Sequence, residues 1–324
     1  MLYENLITKQ VEEYISYKRS LGYQIIVETG ELRRFASYTR SIGHEGSLTS
    51  AVAVQWASLK KEYSRFYKAR RLETVHTFAK YISAFDADAQ IPQLGIFGKS
   101  HCRTTPYIYT DEEIFLLMEE AKKLSSPDGL RSLAVSTAIG LLRSTGIRVS
   151  ELTNLKLDDV NLIDGYLFVR NSKFKKDRLV PLHPTAKKEL AGYRDFVEEK
   201  LGLNNTSEYF FVSSYGRRFN ISSFEYAFTI VRLVLYKEGH FNPNSENRKP
   251  RLFDARHTFA CETIKRWLKS GEDVNKKLYL LSTYMGHVKP EDTFWYLSAT
   301  PELLSISCSR YESAFGEELC DNEG

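Results

Sequence analysis

Cysteine is scarce in this chain and is placed where no two residues act together. Cys102, Cys261, Cys308 and Cys320 are the full complement, and no C-x-x-C pair occurs. Neither a zinc site nor a disulfide framework follows from such spacing. No acidic cluster has the spacing of metal ligands, so the sequence implies no metal and no other cofactor. No apolar run reaches the roughly 18 residues of a membrane helix, and the first residues lack the basic-then-apolar order of a signal peptide. These absences set the expectation of a cytoplasmic protein with no membrane partner. Internal repeats and low-complexity tracts are lacking too. Net charge is low at +4, which by itself does not identify a nucleic-acid partner.

The distribution of charge is more informative than its sum. Residues 57–71 (ASLKKEYSRFYKARR) carry six basic residues against one acid, with Tyr63, Phe66 and Tyr67 interleaved. Residues 169–178 (VRNSKFKKDR) carry five against one, whereas the last fourteen residues hold five acids and no base. Basic stretches with interleaved aromatics fit a nucleic-acid footprint. Lys60, Lys61, Arg65, Lys68, Arg70, Arg71, Lys175, Lys176 and Arg178 are the candidate DNA contacts. The competing reading of either stretch is a solvated helix face.

At 324 residues the chain is long enough for two domains with cores of their own. Residues 1–88 have apolar residues at helical spacing, punctuated by Gly22 and Gly43, and predict a compact four-helix unit. Residues 89–106 contain Pro92, Gly95, Gly98 and Pro106, lack periodicity, and predict a linker. A second domain, 107–316, opens on a capping box formed by Thr110 and Glu113, and 317–324 form an acidic tail. Within it, Gly165 to Arg170 and Arg178 to Leu182 predict an antiparallel hairpin around a basic turn. Helices are expected at about 129–143, 184–202, 222–238, 255–269, 275–285 and 300–314. The fold class is therefore mainly α with a small antiparallel β-sheet.

Chemistry-bearing residues gather in the second half. Arg148 follows Thr145-Gly146-Ile147, Lys173 lies in the hairpin turn, and Arg256 lies in Asp254-Ala255-Arg256-His257. His287 follows Gly286, and Tyr296 ends Thr293-Phe294-Trp295-Tyr296. Guanidiniums match the oxygens of a phosphate. A turn lysine can protonate a departing alkoxide, and a phenol can attack phosphorus. Asp254 suits an N-cap, which would put Arg256 in a first helical turn. Taken singly, each arginine reads more simply as the partner of an acid such as Glu151 or Asp254, and His287 as a structural histidine.

The order Arg, Lys, Arg, His, Tyr, with His287 and Tyr296 nine positions apart, changes that reading. With T-G-I-R-V-S-E-L, K-F-K-K-D-R-L-V-P-L, D-A-R-H-T-F-A and M-G-H-V, the chain resembles the tyrosine recombinase (phage integrase) family. Its ending T-F-W-Y-L-S-A-T-P-E-L-L resembles transposon-associated, Xer-like recombinases encoded in groups of three. The resemblance is dense over 143–303. Over 1–105 it is looser and is similar to a helical, SAM-like core-binding domain preceding the α+β catalytic domain.

The resemblance implies a site-specific recombinase or integrase that cuts and rejoins double-stranded DNA through a 3′-phosphotyrosine, without metal or ATP. Tyr296 would be the nucleophile, Arg148 and Arg256 the phosphate clamp, Lys173 the general acid and His287 a phosphate donor, with Glu151 buttressing Arg148. It also implies a homotetramer, or a mixed assembly with sibling recombinases, on two DNA sites. A relaxase of the type IB topoisomerase kind would use the same chemistry. Two features depart from the family pattern. Phe253 stands where a histidine is usual, three residues before Arg256, which leaves open a catalytically weak or silent DNA-binding partner. The 31 positions from Arg256 to His287 exceed the usual spacing, with the excess expected near Lys269–Glu272. His257 is expected to point away from the site, and the helix after Tyr296 to carry an apolar face (Leu303, Leu304, Ile306 and later Phe315) that is buried either on its own domain or on a neighbouring protomer.

Overall fold

The protein is described by a computed structural model covering residues 5–101, 105–170, 177–202, 207–241, 249–298, 303–306 and 309. The chain divides into two compact units, Met1–Thr104 and Thr105–Gly324.

The first unit is built from α1 (Leu6–Ser20), α2 (Ile26–Ser41), α3 (Ser50–Ala57) and α4 (Arg65–Ile82). Asn5, Thr49 and Ser64 cap three of these by accepting a backbone N–H three residues on. The apolar stripes meet in one core containing Ile7, Val11, Leu32, Phe35, Trp56, Leu72, Val75 and Phe78. Fully burying a side chain of this size contributes roughly 1.5–3 kcal/mol. The stretch 89–98 lies against this unit: the Gln90 amide donates to the Leu48 carbonyl at 2.8 Å, and Ala89 and Phe97 pack on the core.

Arg71 differs from expectation. It falls on the core stripe of α4 beside Leu72 and Val75, and is 4% exposed. Its guanidinium lies 3.9 Å from the Trp56 ring centre and 4.8 Å from that of Tyr63. A weakly hydrated guanidinium stacks on aromatic faces at little desolvation cost, so Arg71 is a packing residue here and not a surface phosphate contact. Lys60, Lys61, Arg65 and Arg70 are exposed, and Lys68 is half-buried.

The second unit contains α5 (Asp111–Lys122), α6 (Leu130–Thr145), α7 (Val149–Leu152), α8 (Pro184–Leu201), α9 (Ile221–Lys237), α10 (Asp254–Lys269), α11 (Val274–Met285) and α12 (Glu291–Phe294). A 3-10 turn, Trp295–Ser298, follows α12. The Thr110–Glu113 capping box opens α5, with side-chain–amide distances of 3.1 and 2.8 Å. Strands β1 (Val160–Asn161), β2 (Tyr166–Val169) and β3 (Arg178–Pro181) form an antiparallel sheet in that order. Val169 faces Arg178 at the end of the β2–β3 pair nearest residues 170–177.

α6 is buried on nearly every side, through Leu130, Ala134, Val135, Ala138, Ile139, Leu141 and Leu142, and packs against α5, α8 and α10. A second apolar cluster joins α10 and α11 to the 3-10 turn through Ile264, Leu278, Leu281, Met285 and Tyr296. Leu303 belongs to this cluster and is 1% exposed, so this part of the apolar face packs on its own domain, whereas Leu304 is exposed. The remainder of the expected 300–314 helix lies largely outside the described residues. The protein is mainly helical with one small antiparallel sheet, as expected. No helix among the described residues is long and apolar enough to cross a membrane.

Candidate active site

α6 ends on Gly146, whose φ of +63° is left-handed and which closes the helix by donating to Leu142 O. A Cβ there would lie 2.5 Å from the Phe259 ring, so both conformation and space require glycine. Two residues on, Arg148 occupies the extended N-cap position of α7. Its amide donates to Glu151 Oε2 at 2.9 Å, its Nη1 to Glu151 Oε1 at 2.8 Å and its Nη2 to the Gly286 carbonyl at 2.9 Å.

Glu151 holds a second arginine. Arg178 donates from Nη2 to Oε2 at 2.7 Å and from Nη1 to Oε1 at 3.0 Å, while its Nε donates to the Tyr284 carbonyl at 2.7 Å. Burial pushes the Glu151 carboxyl up. The hydrogen bonds and charge of Arg178, with the amide and charge of Arg148, outweigh burial and hold it at about 2. Arg178 is a candidate DNA contact by sequence; here its side chain is 9% exposed, and each of its three nitrogens bonds within the protein. It braces the site by joining Glu151 to the Tyr284 carbonyl.

Arg256 is the third residue of α10. Phe253, not Asp254, takes the N-cap position, with helical backbone and no side-chain cap bond. Asp254 is fully buried and reaches back, accepting from the Arg251 amide at 2.8 Å and from Arg251 Nη2 at 3.1 Å. Arg256 is 2% exposed, and donates from Nη1 to Gly146 O at 2.6 Å and from Nη2 to Met285 O at 2.5 Å. Burial, then the charge of Arg148, lowers its guanidinium to about 10, which leaves it cationic at neutral pH. Arg148 and Arg256 thus both bind carbonyls at the C-terminal end of α11, Gly286 and Met285.

α11 closes on Gly286, left-handed at φ +65°, and the chain turns into His287. His287 Nε2 lies 3.0 Å from Arg256 Nη2, and Nδ1 lies 2.7 Å from Thr293 Oγ1. A guanidinium only donates, so Nε2 accepts, and in the neutral ring Nδ1 carries the proton and donates to Thr293. The Tyr296 ring lies over that of His287 with centroids 6.4 Å apart and planes 19° apart, and Tyr296 is 2% exposed.

The Tyr296 hydroxyl lies 3.0 Å from Nδ1 of His257. This corrects the expectation that His257 points away. Consecutive residues of a helix diverge by about 100°, but the 3-10 turn crosses the start of α10, so Arg256 and His257 both reach the Tyr296 side. The only sequence signal for His257 was its place beside Arg256. Burial, then the charges of Arg251, Arg256 and His287, lowers its imidazole to about 4.

Arg148, Arg256, His287 and Tyr296 are therefore brought together. Lys173, Lys175 and Lys176 lie outside the described residues. Among those described, no group of three or more His, Cys, Asp or Glu side chains is placed to hold a metal ion.

Residues 108–302 match the phage integrase family. The chain is 32% identical over 305 residues to integrase/recombinase y4rB of Sinorhizobium fredii, covering 93% of this chain and 96% of that protein. It is 26% identical over 313 residues to tyrosine recombinase XerC of Oceanobacillus iheyensis, covering 93% and 94%. The Tn1549 transposon integrase, solved with transposon right end DNA, superposes with a TM-score of 0.63 at 15% identity, covering 93% and 98%. With this match spanning the whole site from Arg148 to Tyr296, the chain belongs to the phage integrase family of tyrosine recombinases.

Proposed function

We propose that this protein is a site-specific recombinase or integrase that cleaves and rejoins DNA strands through a phosphotyrosine at Tyr296. One observation carries the reading: two guanidiniums, Arg148 and Arg256, are fixed to the same helix end, with His287 and Tyr296 beside them. Positive donors preset at one point suit a phosphate that gains charge in a pentavalent transition state. In the first step the Tyr296 oxygen bonds to phosphorus and the bond from phosphorus to the 5′-oxygen breaks. The phenolic proton passes to water, and the departing 5′-oxygen takes a proton from Lys173. The reverse step, with another strand's 5′-hydroxyl as nucleophile, reseals the backbone. The phosphotyrosine conserves the phosphodiester's bond energy, so this cycle calls for no ATP and uses no metal. Relatives named as integrases and recombinases, and structural neighbours solved on transposon-end and difH DNA, support DNA as the substrate.

The exposed basic residues Lys60, Lys61, Arg65 and Arg70, with Lys68, would add phosphate contacts from the first unit. Strand exchange between two duplexes calls for four protomers, as a homotetramer or with sibling recombinases. The test is a nicked duplex carrying the sequence that the protein selects from a random DNA library. Loss of the short nicked fragment traps the intermediate, and a protein–DNA band stable to boiling in detergent is expected. A second reading, a silent DNA-binding partner of active siblings, is favoured by Phe253, an exposed side chain that offers no proton or hydrogen bond before α10. Tight, specific binding with no covalent band would select it.

A further inference from the structure

Tyr296 does not touch only the arginine–histidine group described above. Its hydroxyl meets Nδ1 of His257 at 3.0 Å, in addition to the ring pair it forms with His287. The half-buried imidazole touches three aromatic rings. Phe253 meets it edge-on at 4.8 Å and 87°, Trp295 at 5.6 Å and Tyr296 at 5.5 Å. Phe253 and His257 are four residues apart, so α10 itself stacks the first wall on the ring. These ring contacts, with the 3.0 Å bond, orient Nδ1 towards the Tyr296 hydroxyl.

We infer that His257 is a positioning residue for Tyr296, its Nδ1 accepting the phenolic hydrogen bond and fixing where the oxygen points. The inference rests on the reading that Tyr296 is the nucleophile. The charged groups acting on the ring are Arg251, Arg256 and His287, and none is an anion that would favour an imidazolium. A neutral ring has one acceptor nitrogen, and a phenol carries its proton at neutral pH. With Nδ1 as acceptor, His257 itself takes up none of the oxygen's lone pairs. The opposite tautomer would occupy one of them with an N–H.

The test compares three proteins on the nicked duplex in single-turnover cleavage: wild type, His257→Leu and His257→Asn. Asparagine places an acceptor where Nδ1 stands, whereas leucine fills the aromatic box with no acceptor. Leucine is expected to slow adduct formation by about tenfold or more, since that is the scale of one missing hydrogen bond. Asparagine should recover most of the rate, and DNA affinity should stay within a few-fold in both. A packing role predicts the reverse order, leucine above asparagine, and would overturn the inference. A leucine variant that cleaves as fast as wild type, or faster, would overturn it too, the latter by making the bond a restraint. Where wild type itself forms no adduct at Tyr296, the functional reading fails and takes the inference with it. Nitrogen-15 spectra of the unaltered protein give a readout that needs no His257 variant. A pyridine-like Nδ1 resonance near neutral pH that shifts in Tyr296→Phe is expected, and a protonated Nδ1 would contradict the assignment.

Discussion

Arg178 and Glu151 form a two-pronged ion pair at 2.7 and 3.0 Å, with side chains only 9% and 5% exposed. Glu151 also binds Arg148, so one carboxylate ties the first residue of β3 to the start of α7. Arg178 carries the constraint on to α11 through the Tyr284 carbonyl. The hairpin flanking Lys173 and the arginine that would grip the phosphate are therefore parts of one bonded network.

Removing that carboxylate should be expensive. Glu151→Ala leaves the nearly buried Arg178 guanidinium unpaired beside the half-buried Arg148, and breaking a buried pair typically costs about 3–5 kcal/mol. Urea unfolding should show a loss of this size with an unchanged slope. A change below about 1 kcal/mol would mean that water readily replaces the carboxylate.

The same network sets a pH dependence. The Glu151 carboxyl lies at about 2, below the ordinary 4.5, so its stabilisation is present above pH 4.5 and is lost as pH falls towards 2. The His257 imidazole lies at about 4, below the ordinary 6.5, so protonation also favours unfolding, in the earlier window from pH 6.5 to 4. Each contributes on the order of 3 kcal/mol at 1.36 kcal/mol per pH unit. Acid titration of the melting temperature should show two successive declines. His257→Asn should remove the first and leave the second.

Arg148→Ala and Arg256→Ala should each slow cleavage by roughly 10²–10³, the usual cost of one transition-state donor. DNA affinity should change far less, because the clamp's value lies in the transition state. Measured adduct rates within a few-fold of wild type for both would defeat the clamp.

Combined alanine substitution of Lys60, Lys61, Arg65, Lys68 and Arg70 should flatten the salt dependence of DNA binding. The log–log slope should fall by up to about 0.9 for each phosphate that is no longer neutralised. Arg71→Ala should instead lower stability with little change in that slope, since Arg71 stacks on Trp56 in the interior. Isothermal binding at several salt concentrations separates the two.

Much of this architecture was legible in the sequence because it rests on local rules. The Thr110–Glu113 box, the hairpin around the basic turn and most helices of the second unit express capping chemistry and periodicity. β1 was not, since two residues leave no period to detect. Arg71 and Arg178 read as surface charge because composition does not say which face of an element a residue takes. Their burial depends on Trp56 and Glu151, respectively 15 and 27 positions away. His257 escaped for the same reason, its partner Tyr296 being 39 positions distant. Asp254 had the chemistry of a cap, but Arg251 drew its carboxylate back into the preceding turn.

The central claim is the covalent bond between Tyr296 and DNA. Peptide mapping of the trapped adduct by mass spectrometry tests it most directly, with Tyr296→Phe as the paired control. A nucleotide-bearing peptide containing residue 296, and no adduct from the phenylalanine variant despite retained binding, is the predicted result. An adduct on Tyr284 or Tyr311, or one that survives Tyr296→Phe, would contradict it.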